Sequence, residues 1–308
     1  MYKWCKRRGS GEDSNGPSAF GFNDSIDRFV NRRGDLSVSC PPPLGADTSW
    51  GYSGVVTPAN KDMHAPSEAT SARTGVFAKE PVPGQVKTRL EPLFGPILGP
   101  AGPAELAEAL LRDAAHRLDL PEVGLELVFA PQSAEAWFQT TFPKLPLRGQ
   151  RGAELGARMA NWFYDALKEL PVGGTAVAVG ADSPWTSSGR VQRAHELLRD
   201  GADVVLGPDV GGGYYLVGMR APRAGLFLEI AMSTGDMFAA TCEWVRSRGL
   251  RLELLEVDYD LDVAEDWQRL VLDLETPREI QDPRDWPSHL AAFAARVQNC
   301  TERGEASE

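Results

Sequence analysis

The residues best suited to chemistry fall in four short stretches of the chain. In the first, Phe77 to Leu90, three cations (Lys79, Lys87 and Arg89) lie within eleven positions, interrupted by Pro81, Pro83 and Gly84. Proline and glycine hold such a loop in turn conformations. Lysine and arginine fixed there suit a di- or triphosphate, whose oxygens accept charge-assisted hydrogen bonds. Composition alone equally allows a solvated basic loop. The stretch is not a P-loop, because Val86 stands before Lys87 where that motif needs glycine, and it is not the GxGxxG turn of a dinucleotide site.

The second stretch, Gly180-Ala181-Asp182-Ser183-Pro184-Trp185, places a carboxylate after a run of small and branched residues. Asp182 there can hold Mg2+ or Mn2+ across phosphate oxygens; Asp182 or Ser183 can equally cap a following helix. The third, Gly207 to Leu216, contains Gly211, Gly212 and Gly213, which let a backbone approach a ligand closely. Tyr214 and Tyr215 behind them point to opposite faces of a strand and are candidates for ring stacking or acceptor contact. A plain glycine-rich hairpin reads the same way. In the fourth, Asp258, Asp260 and Asp262 alternate, so they can share a face and supply further metal ligands. The alternative has Asp262 capping the next helix and Asp266 solvated. The four histidines lie outside these loops, and no Ser-His-Asp or Cys-His arrangement is suggested.

The elements that must position these loops are legible from about Thr74 onward. Short β-branched runs at 74–79, 124–130, 175–180, 203–207, 214–219 and 251–257 alternate with helical patterns at about 103–119, 153–169, 188–200, 235–248 and 263–275. The fourth helix in that series has an expected capping box, Ser233 with Asp236, before 237–245. Alternation of this kind predicts an α/β fold with a mostly parallel sheet covered on both faces. Only six residues, 208 to 213, separate the fourth and fifth runs, too few for a helical crossover, so a local reversal is expected there. A change of strand order is where an open α/β sheet places its ligand crevice.

The rest of the chain bounds the reading. In 308 residues, 32 Lys and Arg stand against 43 Asp and Glu, a net charge of −11 that argues against nucleic acid as a partner. Cys5, Cys40, Cys242 and Cys300 lie far apart, without a zinc pattern or a disulfide framework. No run is long and apolar enough for a membrane span, and the basic start lacks the apolar segment of a secretory signal, so cytoplasm is the expected location. The first 72 residues hold 24 Gly, Ser and Pro but only seven Leu, Ile and Val. A disordered extension is expected over 1–72, with Met63 an alternative start, then a domain over 73–275 and a C-terminal helix with an acidic tail over 276–308.

Taken together and in order, the stretch 77–90, Gln150, Gly152, Leu155-Gly156, Arg158-Met159, GADSP at 180–184, GGYYLVG at 212–218, Ser233-Thr234 and the DxD-like Asp260 and Asp262 resemble the DUF2064 family of glycosyltransferase-A-like proteins. Some of these are described as arsenosugar-biosynthesis glycosyltransferases, and the family is similar to phospholactate guanylyltransferases. The resemblance runs from about Gly75 to Leu270. It implies a GT-A-like, three-layer α/β/α sandwich that binds nucleotide-diphospho-sugars. It also implies nucleotide contacts at Lys79, Gly84, Lys87 and Arg89. Substrate contacts would fall at Arg158, Gly212, Gly213, Tyr214 and Tyr215, and a divalent cation, Mg2+ or Mn2+, would sit at Asp182, Asp260 and Asp262, with Asp182 also the catalytic carboxylate. Two positions depart from the family pattern: Gly211 replaces an aspartate, and Glu154 replaces another. The expected activity is metal-assisted transfer from a nucleotide-activated donor, a nucleotide sugar, to a small-molecule acceptor. The alternatives are nucleotidyl transfer from an NTP and nucleotide binding without catalysis.

Overall fold

The structure, a computed structural model, describes residues 71–232, 235–276 and 280–305. The expected extension up to residue 70, the alternative start at Met63 and the Ser233 cap and Ser233-Thr234 motif lie outside the described residues.

Seven strands form one sheet: β1 (Ala72–Lys79), β2 (Leu125–Ala130), β3 (Leu147–Gly149), β4 (Thr175–Gly180), β5 (Val204–Pro208), β6 (Tyr214–Met219) and β7 (Leu252–Leu254). Their order is β3-β2-β1-β4-β6-β5-β7, and β6 alone runs antiparallel to its neighbours β4 and β5. The predicted reversal is therefore present, and the loops after the six parallel strands gather along one edge of the sheet. Where Gly207 pairs with Leu216 and Pro208 with Tyr214, Tyr215 is left over as a bulge. The bulge turns its ring onto the same face as Leu216, above Gly207, where an added Cβ would come 2.5 Å from the ring.

Helices cover both faces. On one, α2 (Gly102–Leu118), α3 (Glu135–Thr141) and α5 (Ser188–Arg199) bury Leu111, Phe138 and Leu198 against Val177 and Val179 of β4. On the other, α4 (Leu155–Glu169), α6 (Gly225–Leu228) and α7 (Met237–Ser247) bury Trp162, Phe227 and Val245 against Ala176 and Ala178. Alternating valine and alanine along β4 thus serve two differently shaped faces, the period-2 logic of a central strand. Gly75 of β1 is where Trp162 lies closest: a Cβ there would meet its ring at 2.4 Å. Cys242 is buried in the second core, as its apolar surroundings predict, and burial pushes its thiol up to about 11.

A third core lies at the side of the crevice edge. It joins α1 (Glu91–Leu98), the outer face of α2, α8 (Ala264–Glu275) and α9 (Ser288–Glu305) through Leu90, Phe94, Leu261, Trp267, Leu270 and Phe293. Phe94 meets Trp267 and Phe293 edge-to-face, with ring centroids 5.0 and 5.3 Å apart. Leu90 and Leu261, both fully buried, tie the basic loop and the acidic segment to this core, and each such side chain contributes about 1.5–3 kcal/mol. Among the described residues no helix is long and apolar enough to cross a membrane.

Candidate functional site

A crevice opens between the carboxyl ends of β1 and β4, and its walls bring together Lys79, Lys87, Arg89, Gln150, Asp182 and Asp262. Three of the four chemically suggestive stretches therefore converge. Leu90 anchors the far end of the basic loop, and the N–H of Leu261 donates to the carbonyl of Asp182 at 3.0 Å. That bond stitches the acidic segment to the loop after β4, although 79 positions separate the two residues.

At the centre stands Lys87. Its ammonium pairs with the carboxylates of Asp182 and Asp262, the latter at 3.1 Å, and its side chain is only 5% exposed. Burial alone would lower its pKa, but Asp182 and then Asp262 outweigh that and hold it above the ordinary lysine value. Lys87 also has φ 46° and ψ 33°, the one non-glycine residue with positive φ among those described. A side chain in that left-handed region costs about 1–3 kcal/mol unless its surroundings over-determine it. Here the ion pairs on one side and Leu90 on the other do so.

The remaining acids lie close by, Asp209 and Asp258 buried, Asp260 and Asp266 half-buried. Ser183 donates its hydroxyl to Asp260, and Asp209, whose carboxylate accepts the N–H of Gly211, lies close enough to act on the same group. Burial, then the charges of Asp209, Asp182 and Asp262, raise the Asp260 carboxyl well above the usual range. Asp258 turns away to pair with Arg190 and belongs to a different contact. Asp266 is not solvated: its carboxylate accepts the N–H groups of Asp262 and Val263, each at 2.9 Å, and so caps the start of α8. Asp182, Asp260 and Asp262 have the hard oxygen atoms that Mg2+ or Mn2+ takes. As arranged they do not fit one, because the Lys87 ammonium stands between two of them and Ser183 engages the third. Among the described residues no three His, Cys, Asp or Glu side chains converge on a metal seat.

Several expected contacts fall elsewhere. Tyr214 and Tyr215 are fully buried on opposite faces of the sheet, so neither is available for stacking on a substrate. Their hydroxyls and rings serve the fold; that of Tyr215 donates to the carbonyl of Glu256 at 3.1 Å. Gly212 and Gly213, expected as substrate contacts, form a turn here. They are buried, and Gly212, at φ 86°, accepts from the N–H of Phe238 at 3.0 Å while Gly213 accepts from that of Asp209 at 3.1 Å. Gly84, at φ 73°, is exposed and shapes the basic loop without lining the crevice. Arg158 lies in an adjoining hollow with Lys79 and Gln150, its guanidinium donating to the carbonyls of Gly152 and Ala153 at 2.7 and 3.1 Å. Glu154, the other departure from the family pattern, is the exposed residue just before α4.

Two residues position the site without having been given a role by the motifs: Arg117, which they do not include, and Gln150, which they include only as a matched position. Arg117, 1% exposed, reaches from α2 to the loop after β4, donating to the carbonyl of Pro184 at 2.6 Å and towards that of Ser183 at 3.5 Å. Gln150 donates its amide to the carbonyls of Val128 and Ala78 at 2.8 and 3.3 Å, bridging the ends of β1 and β2. A signal for Arg117 exists in the sequence: Asp113 and Arg117, four apart, fall along the apolar stripe of α2, where charges require buried partners.

Residues 105–234 match the family model DUF2064, described as an uncharacterized protein conserved in bacteria. The resemblance drawn from the motifs holds. A nucleotide-diphospho-sugar transferase candidate from Desulfovibrio desulfuricans G20 is similar over 75% of this chain and 98% of its own, at 24% identity with a TM-score of 0.64. A cytidylyltransferase from Leptospira borgpetersenii covers the same shares at 12% identity, with a TM-score of 0.44. No curated protein matches the chain. The first of these likenesses concerns the fold, and it agrees with the GT-A-like α/β/α architecture expected from the sequence.

Proposed function

We propose that this chain, with its DUF2064 segment, is a transferase that binds the phosphates of a nucleotide-activated donor in the crevice between β1 and β4. The reaction we favour is glycosyl transfer from a nucleotide sugar to a small-molecule acceptor. The observation that carries the reading is the meeting of Lys79, Lys87 and Arg89 in one crevice of a protein with net charge −11. Cations gathered there answer no need of the fold's average charge, and they suit a polyanion. In glycosyl transfer, negative charge builds on the departing nucleoside diphosphate as the bond to the sugar breaks. Preorganised cations at that point are the main electrostatic aid to such a step. Asp182 orients Lys87, and Leu261 in turn holds the backbone of Asp182.

Gly211 supports a second reading, nucleotide binding without turnover. It lacks the side chain of the family's aspartate, and the nearest carboxylate, Asp209, is committed to the Gly211 N–H.

The test is a thermal-shift screen of NTPs and nucleotide sugars, with and without Mg2+ or Mn2+, followed by product analysis. A ligand at 100 times its Kd stabilises the native state by about 2.7 kcal/mol, a clear shift in Tm. Release of nucleoside diphosphate from a sugar nucleotide is the expected product. Pyrophosphate from an NTP would replace the reading with nucleotidyl transfer, and binding without product would favour the silent form. No stabilisation by any nucleotide at millimolar concentration would overturn all of them.

A further inference from the structure

The Lys87 ammonium occupies the position between two carboxylates that a divalent cation would otherwise take. We infer that Lys87 is the resident cation of this crevice, and that a divalent ion reaches Asp182 and Asp262 only by displacing it. Three observations carry this. The ammonium contacts Asp182 and lies 3.1 Å from Asp262, within direct ion-pair range of both. The side chain is 5% exposed, so this is its packed position and not one of several solvated ones. The backbone enters the left-handed region at φ 46° to deliver it there, a conformation that needs compensating contacts to persist.

A hydrated divalent ion approaching the same oxygens meets a fixed positive charge within a few ångströms. With the ammonium buried and the two carboxylates about a quarter exposed, that repulsion is stronger than between ions in bulk water. One of the pair's two negative charges is thus offset by the chain itself, and free metal gains less by binding.

The probe is Mn2+ alone, followed by the loss of the free-ion signal in electron paramagnetic resonance as protein is added. It uses the full chain at neutral pH, and because no nucleotide is present its outcome is independent of the function proposed above. Wild-type protein is expected to take up no Mn2+ at sub-millimolar concentrations. Lys87→Gln, which keeps a polar side chain but removes the charge, is expected to bind at least about tenfold more tightly, a difference of about 1.4 kcal/mol. Lys87→Arg keeps the charge and should remain without metal. Adding Asp182→Asn to Lys87→Gln should abolish the uptake. Cooperative thermal melts establish that each variant is folded, and Lys87→Met, similar in length and uncharged, takes the place of Lys87→Gln should that variant not fold. Equal Mn2+ affinity in wild type and the uncharged variant would overturn the inference. So would a folded uncharged variant that takes up none, or uptake that survives loss of Asp182.

Discussion

Removing the guanidinium of Arg117 isolates the contribution of a single buried side chain to the placement of Asp182. Arg117→Met keeps the aliphatic stem of the side chain and most of its apolar contact within α2. It deletes the donors to the carbonyls of Pro184 and Ser183, at 2.6 and 3.5 Å, and the positive charge beside buried Asp113. Each buried group left without a partner costs about 1–3 kcal/mol. The longer contact falls at the low end. Asp113 keeps two backbone donors, His289 and Leu290, at 3.0 and 2.9 Å, which limits its share. Burial also lowers the pKa of Arg117 itself, and its Nε has no partner among the described residues, so the wild-type arrangement already carries some desolvation cost. The net expectation is a loss of about 3 kcal/mol, read as a lower midpoint at unchanged slope in urea unfolding. Arg117→Lys should recover less than half of it, since one ammonium does not span two carbonyls as a planar guanidinium does. At temperatures where Arg117→Met is still folded, nucleotide affinity should fall as well, because the loop carrying Asp182 loses its tether. A stability loss below about 1 kcal/mol, or full recovery by lysine, would refute the assignment of Arg117 as the residue that holds this loop.

Two further perturbations test the structure away from the crevice. His195 lies between Thr74 and Thr175, its Nε2 and Nδ1 at 3.0 and 2.8 Å from their hydroxyls, and burial, aided by the charge of Arg199, holds its pKa down to about 3. The unfolded chain therefore takes up the imidazole proton first as pH falls, so stability is intact above about pH 6.5 and is lost from there down towards pH 3. At about pH 5 the loss attributable to this group is ~2 kcal/mol. His195→Gln should flatten the difference in urea midpoint between neutral and mildly acid buffer, and an unchanged difference would remove His195 as its source. Tyr215→Phe should destabilise by about 1 kcal/mol through the lost bond to the Glu256 carbonyl, and Tyr214→Phe by less, both leaving nucleotide affinity as it was. Lost affinity at full stability would return these tyrosines to the binding site.

How much of this was legible depended on whether local pattern or distant packing decided the outcome. Strands β4 and β6 match their predicted bounds because small and branched residues flanked by turn signals leave few alternatives. Helix α1 was missed. Pro92, Gly95 and Pro96 make it a poor helix by propensity, and it forms because Phe94 fills the third core against Trp267 and Phe293. The edge strand β3 has three residues, too short for a period to show. In the site, the loops and their cations were readable as a set, because their residue types are unusual at strand ends. Which cation meets which acid was not, since it depends on the bond from Leu261 to Asp182 and on two leucines buried in a core that no local window reveals. The tyrosines illustrate the converse error. Alternation correctly sent them to opposite faces, but both faces are covered by helices, and exposure of a side chain is a property of the layers above it.

The crevice is therefore less basic than its loop suggests, and the difference bears on how it would hold a phosphate. The sequence shows three cations against a distant excess of acid. In space, Lys87 is matched by Asp182 and Asp262, with Asp209 buried and Asp260 half-buried behind them. Lys79 and Arg89 line the same walls in more open positions, Arg89 exposed and Lys79 half-buried. A phosphate group entering the crevice meets those two first, at the solvent side. To engage Lys87 it has to compete with two carboxylates already in contact, and it succeeds only by offering oxygens that replace theirs. An anion with a single charge is poorly equipped for that exchange, whereas a diphosphate can pair with Lys79 and Arg89 through one group and approach Lys87 with the next. On the proposed function, the ion pairs around Lys87 would act as a filter on charge and length, a reason for such a crevice to bury a lysine among acids.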